Sequence, residues 1–192
     1  MNKLFKDIKT MNYGIIRQGD LPGLDFEENI IDYKGLNFAE MKNFNSFAKN
    51  HCGATFVTNL AAFFEHKGYD GLLVNGSLEE TFKLVHSKIG NGPIMFVAPK
   101  ARAYFKSRGY DLKYRSLWGF KEAKDAIKRG NPLGILLAEN PISWHWVMGL
   151  GTLETGKSQL FRVMNAWENT GDRYYLVNNR ALFFSAKEYY LD

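Results

Sequence analysis

The sequence predicts an α+β fold, with helices drawn from the first two-thirds of the chain packed on a largely antiparallel sheet drawn from the last third. Three observations carry that expectation. Between residues 52 and 129 the apolar residues recur at helical spacing, in segments with recognisable starts and stops. From residue 133 onward they recur in short β-branched and aromatic runs separated by glycines. The composition, 45% hydrophobic and 15% aromatic, supplies enough apolar surface for a large core and argues against extended disorder.

A chain of 192 residues suits one domain spanning 1–192, with 41–192 as the core and 1–40 as an N-terminal arm or elaboration. In the first 40 residues, Ile15-Ile16 and Ile30-Ile31 read as short strands or covering segments, and Asp20-Leu21-Pro22-Gly23 as a turn. Residues 44–50 read as a polar loop carrying two phenylalanines expected to be buried, Phe44 and Phe47. A helix then opens at Cys52 and runs to about residue 67. Phe56, Leu60 and Phe63 lie on one face, with Val57, Ala61 and Phe64 beside them, and Gly68 is the stop.

Ser77-Leu78-Glu79-Glu80 is a capping-box pattern, in which the Ser77 hydroxyl and the Glu80 carboxylate satisfy the first free N–H groups of a helix reaching about residue 88. Phe82, Val85 and Ile89 face inward. The run 90–93 breaks this helix and 94–97 is a short apolar segment. Pro99 opens a third helix ending near Gly109. Residues 111–115 suit a strand, and 120–129 a fourth helix with Phe120, Ala123, Ala126 and Ile127 on its apolar face. The continuous apolar run 133–138 reads as a buried strand. Segments 145–151, 159–165, 173–177 and 181–185 read as further strands.

The formal charge of +5 is spread among acids without a basic run, which describes a solvated surface and argues against a nucleic-acid face. A single cysteine excludes an internal disulfide and any zinc site built on several cysteines. The histidines lack metal-ligand spacing, so neither a metal nor another cofactor is expected. Asn75-Gly76 and Gly90-Asn91-Gly92 read as turns and match no phosphate-loop pattern. No run approaches ~20 consecutive apolar residues, so no membrane span is expected. Residues 1–12 lack the apolar centre of a signal peptide, which gives a cytoplasmic expectation unless a leader has been removed.

The chemistry centres on that single cysteine. Cys52 stands where a loop becomes a helix, a position at which the helix dipole and unpaired N–H groups favour thiolate. A thiol nucleophile needs a base, and the base needs an orienting partner. His51 is adjacent to the cysteine and expected to point away from it; His66 and His86 read as surface residues. His145 begins a predicted strand after the loop 141–143, between Trp144 and Trp146, and is the candidate base. Asn165 ends the next predicted strand, where its amide oxygen can accept the imidazole N–H. Trp167 can shield that bond, and the Cys52 N–H can serve as an oxyanion donor.

Cys52-Gly53-Ala54-Thr55 at a helix start, His145-Trp146-Val147-Met148-Gly149-Leu150-Gly151 on a strand and Val163-Met164-Asn165-Ala166-Trp167 resemble the papain-like cysteine peptidase superfamily, and more narrowly its bacterial peptidase C39-like branch. The resemblance covers roughly residues 44–190. It implies a papain-like fold, a Cys52-His145-Asn165 triad, and cleavage of a peptide or amide substrate through a thioester. One departure stands out. The superfamily carries a glutamine shortly before the cysteine as an oxyanion donor, whereas this chain has glutamine only at Gln18 and Gln159. Asn45 is the candidate substitute, with Ser46 the alternative. Two other readings use the same fold: a binding module of weak or no activity, and an acyltransferase of transglutaminase type on the same triad.

Overall fold

A computed structural model describes Phe5 and residues 8–140, 142–156, 158–177 and 182–192. It contains a mixture of helices and antiparallel strands. The chain divides into two compact units: a strand unit (1–32, 116–165 and 170–188) and a helical unit (33–115, 166–169 and 189–192).

The strand unit holds β1 (Ile15–Arg17), β2 (Glu27–Ile30), α4 (Phe120–Lys128), β4 (Leu133–Asn140), β5 (Ser143–Thr155), β6 (Ser158–Met164), β7 (Arg173–Leu176) and most of β8 (Leu182–Tyr190). The sheet order is β1-β7-β6-β5-β4-β8, with β2 paired to β5. Each of these pairs is antiparallel. β5 is buried along most of its length, from His145 to Leu153, because partners flank it and α4 covers it. Such strands read as continuous apolar runs rather than alternations.

Gly151 is required by crowding. A Cβ there would lie 2.8 Å from the Asn29 carbonyl oxygen and 3.2 Å from Arg162 Cβ. The segment before β2 joins the same unit: Phe5, Ile16, Leu153, Leu160, Tyr174 and Leu176 form one apolar cluster, with Ile8 and Phe26 packed against it. Ion pairs lie around it, Lys124 to Glu27 at 2.6 Å and Arg162 to Glu28 at 2.6 Å.

The helical unit is built on α1 (Cys52–His66), α2 (Leu78–Ile89) and α3 (Val97–Ser107). α1 is buried on every side from Cys52 to Phe64, not along one stripe, which is the signature of a helix at the centre of a core. Its polar residues are therefore tied down internally. The Asn59 amide exchanges two hydrogen bonds with the Ala39 backbone, at 2.7 and 3.0 Å, and Thr58 donates to the Ala54 carbonyl at 3.0 Å. α1 ends in a Schellman arrangement: Gly68 N–H reaches the Glu65 oxygen and Tyr69 N–H the Phe64 oxygen, with Gly68 at φ 93°.

α2 starts as expected at Ser77, whose hydroxyl accepts from Glu80 N–H at 3.3 Å. The other half of the expected capping box is replaced. The Glu80 carboxylate accepts instead from the Asn75 amide at 2.7 Å, and the Ser77 N–H pairs with the Val74 oxygen. Asn75 and Gly76 take left-handed backbone in that turn. Pro99 sits in the first turn of α3 as predicted, although the helix begins two residues earlier.

The expected strand at 111–115 appears as β3 (Lys113–Leu117), which starts in the helical unit and ends in the strand unit. Phe47, expected inside, is 45% exposed under the Lys83 ammonium, while Phe44 is buried. Pro141 and Ala181, at the edge of a predicted loop and a predicted strand, lie outside the described residues. So do residues 1–4, 6 and 7. Among the described residues no helix is long and apolar enough to cross a membrane, and no group of three or more His, Cys, Asp or Glu side chains could hold a metal ion.

Candidate active site

In the strand unit, β5 pairs with β4 through Leu137 opposite His145 and with β6 through Met148 opposite Met164. β6 stops there, and Asn165 follows, fully buried. Ala166 then takes left-handed backbone, φ 62°, a conformation disfavoured for a residue with a Cβ. This turn leaves the Asn165 carbonyl outside the β5–β6 ladder, and His145 takes it up: Nε2 lies 2.7 Å from the Asn165 main-chain oxygen.

Sequence reasoning expects the amide side chain of Asn165 to meet the imidazole. The Asn165 backbone makes one contact with the ring, because a strand end followed by a left-handed residue exposes its last carbonyl. A carbonyl can only accept, so Nε2 carries the proton. In the neutral ring Nδ1 is then the atom with the lone pair.

His145 is 3% exposed, and its environment keeps the ring neutral. Burial pushes its pKa down from 6.5 to about 4, with the Asn165 carbonyl opposing the shift. The ring lies 5.3 Å from that of Tyr13, at 31°, and the Tyr13 hydroxyl hydrogen-bonds to Ser143 Oγ at 2.8 Å. Tyr13 is itself left-handed, φ 61°. Nothing in the sequence near Tyr13 signals this contact, since the two residues are 132 positions apart. Trp146 is fully buried, whereas Trp144 and Trp167 are half-buried.

In the helical unit, Cys52 is the first residue of α1, 4% exposed and not in a disulfide. Its position places the sulfur-bearing residue at the positive end of the helix dipole. His51 is 0% exposed. Its Nδ1 lies 2.9 Å from Thr55 Oγ1 and its Nε2 3.3 Å from Asn45 Oδ1. The ring stands edge-on to Phe82, at 5.2 Å and 77°, and to Phe44, at 6.1 Å and 70°. Phe44 and Phe82 stack on each other at 3.9 Å.

Asn45 itself is exposed and follows a short 3-10 turn, Met41–Phe44, held by reciprocal bonds between Glu40 and Asn43. Ser46 is exposed beside it. The available signal for the His51 contact was the i, i+4 spacing of His51 and Thr55 across a helix start. Of the other histidines, His66 is exposed as expected and His86 is half-buried, 2.9 Å from Asn91 Oδ1.

The pairings are thus His145 with Asn165 in one unit, and Cys52 beside a His51–Asn45 pair in the other. A crystal structure from Bacillus anthracis, of a protein provisionally described as a C39-like peptidase, is similar in fold: TM-score 0.53 and 12% identity, over 85% of this chain and 98% of that one. No protein-family model and no curated protein matches the sequence.

Proposed function

We propose that the chain is a thiol hydrolase of papain-like fold and C39-like type, cleaving an amide or peptide bond with Cys52 as nucleophile, His145 as base then acid, and Asn165 as orienter. The observation that carries the reading is the 2.7 Å bond from His145 Nε2 to the Asn165 carbonyl. It fixes the tautomer whose Nδ1 can take a proton from a thiol. The fold similarity to the C39-like protein supports the same class.

In the proposed cycle the Cys52 thiol gives its proton to His145 Nδ1 and the sulfur bonds to the substrate carbonyl carbon. The oxyanion is met by the Cys52 N–H and the Asn45 amide N–H. Collapse breaks the C–N bond, and the amine leaves with the proton from Nδ1. Water then attacks the thioester, giving its proton to His145. The carboxylic acid departs as the proton returns to sulfur.

The test is alkylation by iodoacetamide across pH together with Cys52→Ala. The expected result is labelling confined to Cys52, with a thiolate titrating below the ordinary ~8.5, and loss of hydrolysis in the variant. Ordinary titration together with undiminished hydrolysis in Cys52→Ala would reject the reading. The missing glutamine favours a second reading, a binding module without turnover. Trapping of an acyl-enzyme at Cys52 would exclude that one.

A further inference from the structure

We infer that His51 is a positioning residue that sets the direction of the Asn45 carboxamide, so that His51 and Asn45 together replace the glutamine this chain lacks. This rests on the reading of Asn45 as oxyanion donor given above. Asn45 Oδ1 is an acceptor, so the ring nitrogen 3.3 Å from it, Nε2, must carry a proton. In a neutral imidazole Nδ1 is then an acceptor and needs a donor.

The Thr55 hydroxyl at 2.9 Å is that donor. It also lies 3.2 Å from the His51 carbonyl, but its single proton is better placed on the nearer nitrogen. Burial keeps the ring neutral by lowering its pKa, as does the positive potential of His86, against an opposing backbone contact of His51. The chain of donors therefore runs one way: Thr55 hydroxyl to Nδ1, Nε2–H to Asn45 Oδ1. With its oxygen committed, the exposed carboxamide presents its NH2 end as the remaining donor.

Phe44 and Phe82 hold the imidazole plane, which a freely rotating side chain on an exposed turn could not do for Asn45 unaided. An asparagine is one methylene shorter than glutamine, and a fixed orientation is what compensates for the shorter reach.

The experiment combines a tautomer measurement with a double-mutant cycle on the full chain. Nitrogen-15 shifts of the His51 ring in the wild-type protein should give the Nε2–H tautomer; an Nδ1–H ring overturns the inference whatever the activity. Acylation of Cys52 is followed by the burst of 4-nitrophenolate from 4-nitrophenyl acetate. Asn45→Ala should slow acylation by about 10²-fold. His51→Phe, which fills the same aromatic slot, should slow it at least tenfold at saturating ester with KM unchanged.

The double variant should be no slower than Asn45→Ala, and His51→Gln, which retains an N–H donor, should recover most of the rate. Additive losses, or no rescue by glutamine, overturn the inference. Thr55→Val, nearly isosteric, provides an independent arm: a several-fold loss with a mixed-tautomer His51 spectrum supports the proton chain, and an unchanged spectrum overturns it. A wild-type protein with the Nε2–H tautomer but no acylation of Cys52 rejects the hydrolase reading, and with it the catalytic end of the pair.

Discussion

His145 Nε2 lies 2.7 Å from the main-chain oxygen of Asn165, so the imidazole has a backbone acceptor to orient it. A main-chain acceptor survives substitution of the residue that carries it. This changes what the asparagine is expected to contribute.

Asn165→Ala keeps the carbonyl and should retain the His145 tautomer. We expect kcat/KM to fall by roughly tenfold or less, against about 10²–10⁴-fold for His145→Ala, the range for loss of a general base. Steady-state kinetics of the two variants decide the point. Equal losses would mean that the side chain, not the carbonyl, does the orienting.

Stability should fall as the solution is acidified. Unfolded histidine titrates near 6.5, while His145 in the folded chain titrates at about 4. Between those values the unfolded chain binds a proton that the folded one does not. The stabilisation is complete above pH 6.5 and is lost as pH drops towards 4, by about 3 kcal/mol at 1.36 kcal/mol per unit. His51 shifts in the same direction and adds to the loss. Urea denaturation at pH 7, 5.5 and 4 should show the decline, and His145→Asn should flatten it.

Gly151→Ala should destabilise the strand unit by about 1–3 kcal/mol, the usual range for overpacking. The added methyl meets the Asn29 carbonyl oxygen at 2.8 Å, and backbone atoms cannot turn aside as a flexible side chain would. A thermal melt lowered by several degrees is the expected readout.

Arg129→Ala should cost about 2 kcal/mol. Glu188 is 2% exposed on its side chain and accepts from the Arg129 guanidinium at 2.6 Å and from the Asn131 amide at 2.7 Å. Removing the arginine leaves a buried carboxylate with one of those donors gone. Arg129 is itself half-exposed, which keeps the cost below that of a fully buried pair. Adding Glu188→Gln, which removes the stranded charge, should recover part of the lost stability in chemical denaturation.

Most of the secondary structure was legible because its signals are local. The start of α1 at Cys52, the stop at Gly68, the Ser77 cap and the run 133–138 depend on neighbours within a few positions, and each appears where the pattern put it. Phe47 and the Glu80 carboxylate lie elsewhere than expected for a common reason. Periodicity and motif spacing say which residues are apolar or able to bond, but not which neighbour is nearest once the chain has turned.

By itself the sequence determined the α+β order, the position of the one thiol at a helix start, and the residues from which a nucleophile, base and orienter could be drawn. Tertiary structure alone decided how they are held. The imidazole of His145 found a backbone oxygen because Ala166 turns left-handed after β6. Tyr13 came to lie against that imidazole from far away in the chain. His51 lies in the core, where burial makes each of its two nitrogens choose a partner. Hydrogen-bond partners of buried polar groups are set by which segments the core brings together, and spacing along a chain does not encode that.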